Sequence, residues 1–371
     1  MSTIRYGLVG AGMMGQEHIR NIALLDGAEV VAIADPDEAM RQKAADLAGP
    51  GTRSFTSHRD LLSADLCDVY VVAAPNDLHL SLMRDLMATD KPILCEKPLA
   101  TNTRDCLELM RLAERRSAPV WVAMEYRYMA PITRLIEEVR AGRAGTPRMV
   151  SIREHRFPFL PKVDDWNRFN ARTGGTLVEK CCHLFDLMRH ILDAEPVRLF
   201  ATGGADVNHR DERYDGQVPD ILDNAYVCID FAGGTRGMLD LCMFAEGGRW
   251  QEEVMVAGDV ARLQALVPGP ARFSRHGKER AAEFVVANRK EKEELRETVA
   301  VDEKILRAGD HHGSTFFQHE RFLELTRRGA GKPEVGLFEG YWSVLIGEAA
   351  EHSVRTGQPV DLRQFARDAA A

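Results

Sequence analysis

The sequence predicts an α/β protein: a doubly wound parallel sheet in the first third, then an α+β unit with a mostly antiparallel sheet. Three observations carry this. Ile4–Val9 is a short apolar run followed at once by Gly10-Ala11-Gly12-Met13-Met14-Gly15, a helical pattern on His18, Ile19, Ile22 and Leu25, and a second apolar run, Val30–Ala34. Strand-like and helix-like segments keep alternating to about residue 124, the arrangement that builds parallel sheets. Beyond Tyr126 the pattern shifts to short alternating runs separated by polar turns, as in antiparallel strands.

The opening stretch reads strand, glycine turn, helix, strand, acid, which is the context a dinucleotide-binding fingerprint requires. Gly10 permits the tight turn, Gly12 lets backbone approach a pyrophosphate, and Gly15 lets the helix pack closely on the strand. The helix start offers free N–H groups and a positive dipole end to phosphates, with Met13 and Met14 at that start. Asp35 lies twenty residues past Gly15. A carboxylate there accepts from both ribose hydroxyls and repels a 2′-phosphate, so the expected cofactor is NAD rather than NADP.

The remaining elements follow in order. Asp68–Ala74 reads as a buried parallel strand broken by Pro75-Asn76, and a helix follows over Leu78–Ala88. Pro92–Cys95 is the next strand, Thr101 or Asn102 caps a helix running to Arg116, and Val120–Met124 is a further strand. After Tyr126 come a helix at Pro131–Ala141, a longer strand at Arg148–Arg156, a polar aromatic loop at Phe157–Thr173 and one helix from about Thr176 to Leu192. Strands are expected at Val197–Thr202, Ala225–Phe231, Arg236–Phe244, Glu252–Ala257 and Arg262–Leu266, with a hairpin at Gly233-Gly234. Gly203–Asp220 and Gly277–Lys292 read as polar loops, and helices at Thr315–Arg328 and Phe338–Thr356 close the chain.

At 371 residues the chain is long for one core, and the change of pattern divides it into 1–125 and 126–371. Hydrophobic residues make up 45% and charged ones 28%, as in ordinary globular proteins, and the net charge of −8 argues against nucleic-acid or anionic-membrane partners. No apolar run approaches the roughly 20 residues that span a bilayer. The N-terminus enters the fold at once, leaving no room for a signal peptide. Seven cysteines, an odd number without CxxC spacing, suggest reduced thiols in a cytoplasm.

Ligands of open α/β sheets sit at the carboxyl ends of the strands. Three segments therefore converge beside the glycine turn: Ala74-Pro75-Asn76-Asp77-Leu78-His79, Glu96-Lys97-Pro98 and Glu125-Tyr126-Arg127-Tyr128. Ala74, Pro75, Asn76, His79, Glu96 and Lys97 are the expected cofactor contacts from these ends. Lys97 follows an apolar strand and is fixed by Pro98. Burial and the positive nicotinamide would lower its pKa, suiting it to acid/base work on a hydroxyl, whereas most lysines are simply solvated. Glu179 and His183 are four apart on one helical face, with Asp186 three further on, placed to orient the His183 ring. Beside a lysine they make a proton relay. Alone they are a helix-stabilising pair or half a zinc site, and no third ligand is evident. Cys181 and Cys182 point about 100° apart and read as core.

The loop before that helix concentrates Arg153, His155, Arg156, Lys162, Trp166, Asn167, Arg168, Asn170 and Arg172 in an acidic protein. This suggests an anionic or heavily hydroxylated ligand held by His155, Lys162, Trp166, Asn167 and Arg168 with Tyr126 and Arg127, or else a solvated face with local ion pairs. Asp310-His311-His312-Gly313-Ser314 reads as a polar turn capped by Ser314, its histidines structural or at the rim, His312 reaching substrate.

Taken together, GAGMMG at 10–15, Asp35, AAPNDLH at 73–79, EKP at 96–98, EYRY at 125–128 and GGTLVEKCCHLFD at 174–186 resemble the glucose–fructose oxidoreductase/inositol dehydrogenase (Gfo/Idh/MocA) family over nearly the whole chain. The resemblance implies a second domain on a large open sheet whose face forms a dimer or tetramer interface. It also implies that Lys97 bridges cofactor and substrate hydroxyl and that His183 is the general base, as hydride passes from a substrate carbon to nicotinamide. Many members carry Asp where this chain has Glu179, so the substrate cannot be copied from inositol or glucose dehydrogenases. The expected activity is NAD-dependent oxidation of a secondary hydroxyl on a sugar, sugar derivative or cyclitol. The alternative is a redox-neutral glycosidase using bound NAD for transient C3 oxidation, on an anionic glycoside such as a sulfonated sugar. A non-enzymatic redox sensor would not need the Lys97–His183 pair.

Overall fold

The structure, a computed structural model, describes residues 3–273, 277 and 280–370. Its first sheet is built from β1 (Ile4–Val9), β2 (Ala28–Ala34), β3 (Arg53–Phe55), β4 (Val69–Val72), β5 (Ile93–Cys95) and β6 (Val120–Val122), interleaved with α1 (Met13–Ile22), α2 (Glu38–Ala48), α3 (His58–Ser63), α4 (His79–Met87) and α5 (Thr103–Ala113). The strands lie in the order β3-β2-β1-β4-β5-β6 and all pair in parallel. The order reverses between β1 and β4, and that switch point opens a crevice at the strand carboxyl ends. Asn102 caps α5 through a bond from the Asp105 N–H (2.9 Å).

A second sheet holds β7 (Pro147–His155), β8 (Pro196–Gly204), β9 (Asn224–Phe231), β10 (Arg236–Cys242), β11 (Glu252–Gly258), β12 (Ala261–Val267), β13 (Ala282–Asn288), β14 (Glu293–Val299) and β15 (Val360–Asp361). Their order is β14-β13-β12-β11-β7-β10-β9-β8-β15, antiparallel except where β10 runs parallel to β7. Helices α6 (Ala130–Arg140), α7 (Asn170–Thr173), α8 (Thr176–Glu179), α9 (Cys182–Leu192), α10 (Glu303–Ala308), α11 (Ser314–Arg328), α12 (Leu337–Thr356) and α13 (Leu362–Ala370) complete the chain.

Two apolar cores result. Tyr6, Leu8, Ile33, Val71, Leu94 and Trp121 fill the first, and Phe322 and Leu323 of α11 return to it from late in the chain. Leu184 and Phe185 of α9 pack with Leu239 and Val256 of the second sheet in the other core. Helix α12 gives Val344 to the first core and Ile346, Ala349 and Ala350 to the second, which ties the two together. Burying Val344 or Ile346 stabilises by about 1.5–3 kcal/mol, and each alanine methyl by about 0.8 kcal/mol. Gly347 is small because a Cβ there would meet the Leu177 carbonyl oxygen at 2.6 Å.

Some expectations need correction. The helix expected over Thr176–Leu192 is two helices, broken at Lys180 and Cys181, where Cys181 has ψ −5°. Gly277–Lys292 is not all loop: β13 occupies Ala282–Asn288, although 278 and 279 lie outside the described residues. Its brief apolar centre sits between strongly charged flanks. Neighbouring β14, EELRETV, is almost wholly exposed, the charged edge strand that blunts sheet-to-sheet aggregation and hides from an apolar-pattern reading. Ser314 does not cap α11; Gly313, at φ +81°, occupies that position without a side-chain bond. No described helix is long and apolar enough to cross a membrane, and all seven cysteines are unpaired, five of them buried.

Candidate active site

A cavity of about 950 Å³ opens at the carboxyl ends of the first sheet's strands. One wall is the glycine turn, where Gly10, Gly12, Met13 and Met14 face the space. Gly10 has φ +101°, and a Cβ on Gly15 would strike the Gly10 carbonyl oxygen at 2.3 Å, so the turn and the close α1 contact both demand glycine. A Cβ on Gly12 would meet nothing within 4 Å, leaving its backbone open toward the cavity. The start of α1 carries no side-chain cap and no acidic residue in its first turn, so its positive end is free for phosphate. Asp35 lines the same cavity, its carboxylate fixed by the N–H groups of Ala11 (2.7 Å) and Asp37 (2.9 Å). These residues fit a dinucleotide.

Beyond the glycine turn, Ala74, Pro75 and Asn76 after β4 and Glu96 and Lys97 after β5 line the cavity as expected. The Glu96 carboxylate is already engaged, accepting from His18 Nε2 (2.9 Å) and the Lys97 N–H (3.1 Å). His79 is a correction. It lines no part of the cavity, its ring lying between the carbonyls of Pro98 (2.8 Å) and Ala74 (3.1 Å), so it braces the two loops rather than touching ligand.

At the far end Lys97 Nζ donates to the main-chain oxygen of Glu179 (2.8 Å) and lies 3.6 Å from its carboxylate. Asn76 Nδ2 donates to the same carboxylate. Burial pushes the Lys97 pKa down, but Glu179 and the other negative charges push harder, and the net shift is upward. The expected lowering is therefore reversed: without a positive ring beside it, Lys97 is a firm cation. The same pair acts on Glu179, where burial is outweighed by Lys97, Lys162 and Asn76 and the carboxyl falls below its usual range.

His183 and Tyr126, unlike Lys97 and Glu179, are not among the residues lining the cavity: His183 is 3% exposed and stacks on Tyr126 with centroids 4.1 Å apart and planes within 5°, so Tyr126 lacks the substrate contact expected of it. His183 Nδ1 is buried and has no hydrogen-bond partner among the described residues. Burial and the surrounding cations, Lys97 first, hold its pKa well below the ordinary 6.5, so the ring is a neutral base at pH 7. Asp186 does not orient it, contrary to expectation. Its carboxylate grips Arg127 in a buried two-pronged pair (2.6 and 2.5 Å), which takes Arg127 away from the substrate role expected of it.

The cationic loop is mostly spoken for by the protein itself. Lys162 and Trp166 line the cavity, with Lys162 Nζ 4.6 Å from the Trp166 ring centroid. His155, by contrast, pairs with Asp240 (3.0 Å), Arg168 with Glu212 (2.8 Å), and Asn167 Nδ2 donates to the Leu160 carbonyl (3.0 Å). Asn167 and Arg168 are buried and hold the loop's shape, while His155 is half-buried at the end of β7. His312 sits at φ +51° with Nε2 buried and unpartnered, and burial lowers its pKa to about 4. Its neighbour His311 does more: Nδ1 lies 2.8 Å from Glu17 and 3.5 Å from Glu125. Thr315 Oγ1 lies 2.9 Å from Glu17 and 2.5 Å from Glu125. Burial raises the Glu125 carboxyl, and the two glutamates raise His311 to about 9.

Sequence reasoning missed Glu154, Lys180 and Glu252, all buried behind Tyr126. A signal existed. Period two along β7 puts Glu154 on the same inward face as Val150 and Ile152, where a carboxylate needs a reason.

Comparison with known proteins places the chain. Residues 4–124 match the family model described as "Oxidoreductase family, NAD-binding Rossmann fold" and residues 136–362 match its "C-terminal alpha/beta domain". The chain belongs to the Gfo/Idh/MocA family. It is an oxidoreductase-family enzyme with an NAD-binding Rossmann domain. Among Gfo/Idh/MocA relatives it is 30% identical to the rhizopine catabolism protein MocA of Rhizobium meliloti over 241 residues, 65% of this chain and 72% of that one. It is 26% identical to the myo-inositol 2-dehydrogenase of Thermotoga maritima over 262 residues, 71% of this chain and 75% of that one. A levoglucosan dehydrogenase solved with NADH and L-sorbose superposes with a TM-score of 0.81, covering 98% of this chain and 99% of that one; at 18% identity it shows the shared fold.

Proposed function

We propose that the protein is an NAD-dependent dehydrogenase of a secondary hydroxyl on a sugar, sugar derivative or cyclitol. The observation that carries this reading is the buried, unpartnered nitrogen of neutral His183 beside the Lys97–Glu179 ion pair. That arrangement lacks one thing, a hydroxyl group to deprotonate. NAD, when bound along the glycine turn, supplies the hydride acceptor. Lys97, cationic and within reach of the cavity, stabilises the alkoxide that develops as the hydroxyl proton leaves. That support lets a weakly basic imidazole take the proton. Glu179 anchors Lys97 and its longer arm, relative to Asp, keeps Asn76 attached as well. Lys162 and Trp166 close over the substrate, with the Trp face suited to sugar C–H groups. Among the described loop cations lining the cavity, Lys162 alone has no carboxylate within ion-pair distance, while Arg172 pairs with Asp77 (2.9 Å). A single free cation suits a hydroxylated ligand better than a strongly anionic one.

A panel of free sugars, anhydro-sugars and inositols, with neutral and anionic aryl glycosides alongside, tests this by NADH absorbance and nitrophenolate release. NADH accumulating on a free polyol is the expected result. Nitrophenolate released without net NADH overturns it in favour of the redox-neutral glycosidase. Asp35→Ala should weaken NAD binding and narrow its preference over NADP, read as the two Kd values by calorimetry; an unchanged ratio contradicts the ribose role.

The outer face of the second sheet leaves Phe200, Tyr226 and Met238 exposed on adjacent strands, with Phe200 and Met238 both opposite Cys228. We infer that this apolar face buries itself in a homodimer or homotetramer. Tyr226→Glu with Met238→Glu should yield monomers by light scattering, and an unaltered mass rejects that face.

A further inference from the structure

Behind the catalytic pocket lies a cluster of buried charges that the proposed chemistry does not use. Glu154 of β7 and Glu252 of β11 are direct cross-strand partners, 0% and 1% exposed. Like charges so placed repel, and burial followed by the Glu154 charge raises Glu252 to about 7. Lys180, 4% exposed at the end of α8, reaches them: Nζ lies 2.7 Å from Glu154 and donates to the Tyr126 hydroxyl (2.5 Å). Tyr126 Oη also lies 3.4 Å from Glu252. Nζ sits 4.7 Å from the centroid of the Tyr126 ring, on which His183 stacks. A buried ionic cluster of this kind stabilises no better than apolar residues of equal volume. Its position against the base gives it a use.

We propose that Lys180 is a positioning residue for the base: it fixes the Tyr126 ring on which His183 stacks and keeps that imidazole neutral. This deepens the proposed function, since it rests on His183 being the base. The charges facing His183 are Lys97 from the turn after β5, Lys180 after α8, Arg156 following β7, and His311 from the loop before α11. Glu179, on α8, is paired with Lys97. Facing Lys180 are Glu154, Glu252 and Arg156. Removing the Lys180 cation makes the His183 imidazolium easier to form; removing the Glu154 anion does the opposite.

Histidine-labelled NMR titration of the cofactor-free protein tests this, with the His183 signal assigned by its loss in His183→Gln. Lys180→Met should move the His183 titration upward by roughly one unit. Lys180→Met combined with Glu154→Gln, which removes both charges of the pair and so guards against unfolding, should still move it upward, though by less, because Lys180 faces His183 and Glu154 is not among the charges that do. Glu154→Gln alone should leave it in place or move it down. An unchanged His183 titration in the folded double variant overturns the proposal, as does an upward shift in Glu154→Gln alone. The reading beneath fails separately: a His183→Gln protein that turns over sugar removes the base while leaving the titration result standing.

Discussion

Lys97→Ala is expected to lower kcat by roughly 10²–10⁴-fold while leaving the Kd for NAD nearly unchanged. The asymmetry follows from where the binding energy resides. The dinucleotide cradle is the glycine turn, the α1 terminus and Asp35, none of which leans on the lysine side chain. The catalytic loss comes from removing the cation that supports a developing alkoxide. Glu179 would stay in place through Asn76, so the cavity should keep its shape. Lys97→Arg keeps the charge but not the compact ammonium that reaches the Glu179 main-chain oxygen. Its kcat should fall between wild type and alanine. Steady-state kinetics with calorimetric NAD binding reads both numbers, and retained turnover in Lys97→Ala contradicts the role.

His183→Gln should cost kcat a comparable factor, roughly 10²–10⁴-fold, because the amide keeps hydrogen bonding but cannot accept the proton. A pH signature accompanies it. Burial first, then Lys97 and Lys180, holds the folded-state pKa well below 6.5. Wild-type kcat/KM should therefore stay level as pH falls through the ordinary histidine range and drop only below it. The stability sign is the same. The folded state binds this proton less readily than the unfolded chain, so stability is lost as pH falls through the unfolded value and toward the folded one. A kcat/KM profile falling near pH 6.5 would show that the base is solvated or is another group.

Much of this was legible from residues alone. GAGMMG and Asp35 announce the crevice because close approach and ribose recognition depend on local sequence, and the strand-end rule brought Asn76, Glu96 and Lys97 to it. The i, i+4 spacing of Glu179 and His183 does not carry over as one helical face, because the helix breaks between them. What failed were partnerships set by tertiary contact. Asp186 lies three residues from His183 yet belongs to Arg127, fifty-nine positions away. The loop cations looked available until Asp240 and Glu212, from distant segments, claimed His155 and Arg168. Lys97 was expected to be depressed by a positive neighbour, whereas the carboxylate beside it decides the sign. His311 rather than His312 holds the buried carboxylates, Glu17 and Glu125, whereas the His312 Nε2 is buried without a partner among the described residues.

The most direct measurement follows a deuterium label from the carbon bearing the oxidised hydroxyl of the best polyol substrate. Hydride transfer from substrate to cofactor should place the deuterium on the nicotinamide of NADH, give a primary isotope effect on kcat/KM, and leave little labelled NADH formed in Lys97→Ala. Substrate consumed with the label retained on the sugar, or exchanged into water without net NADH, would contradict hydride transfer as the net reaction.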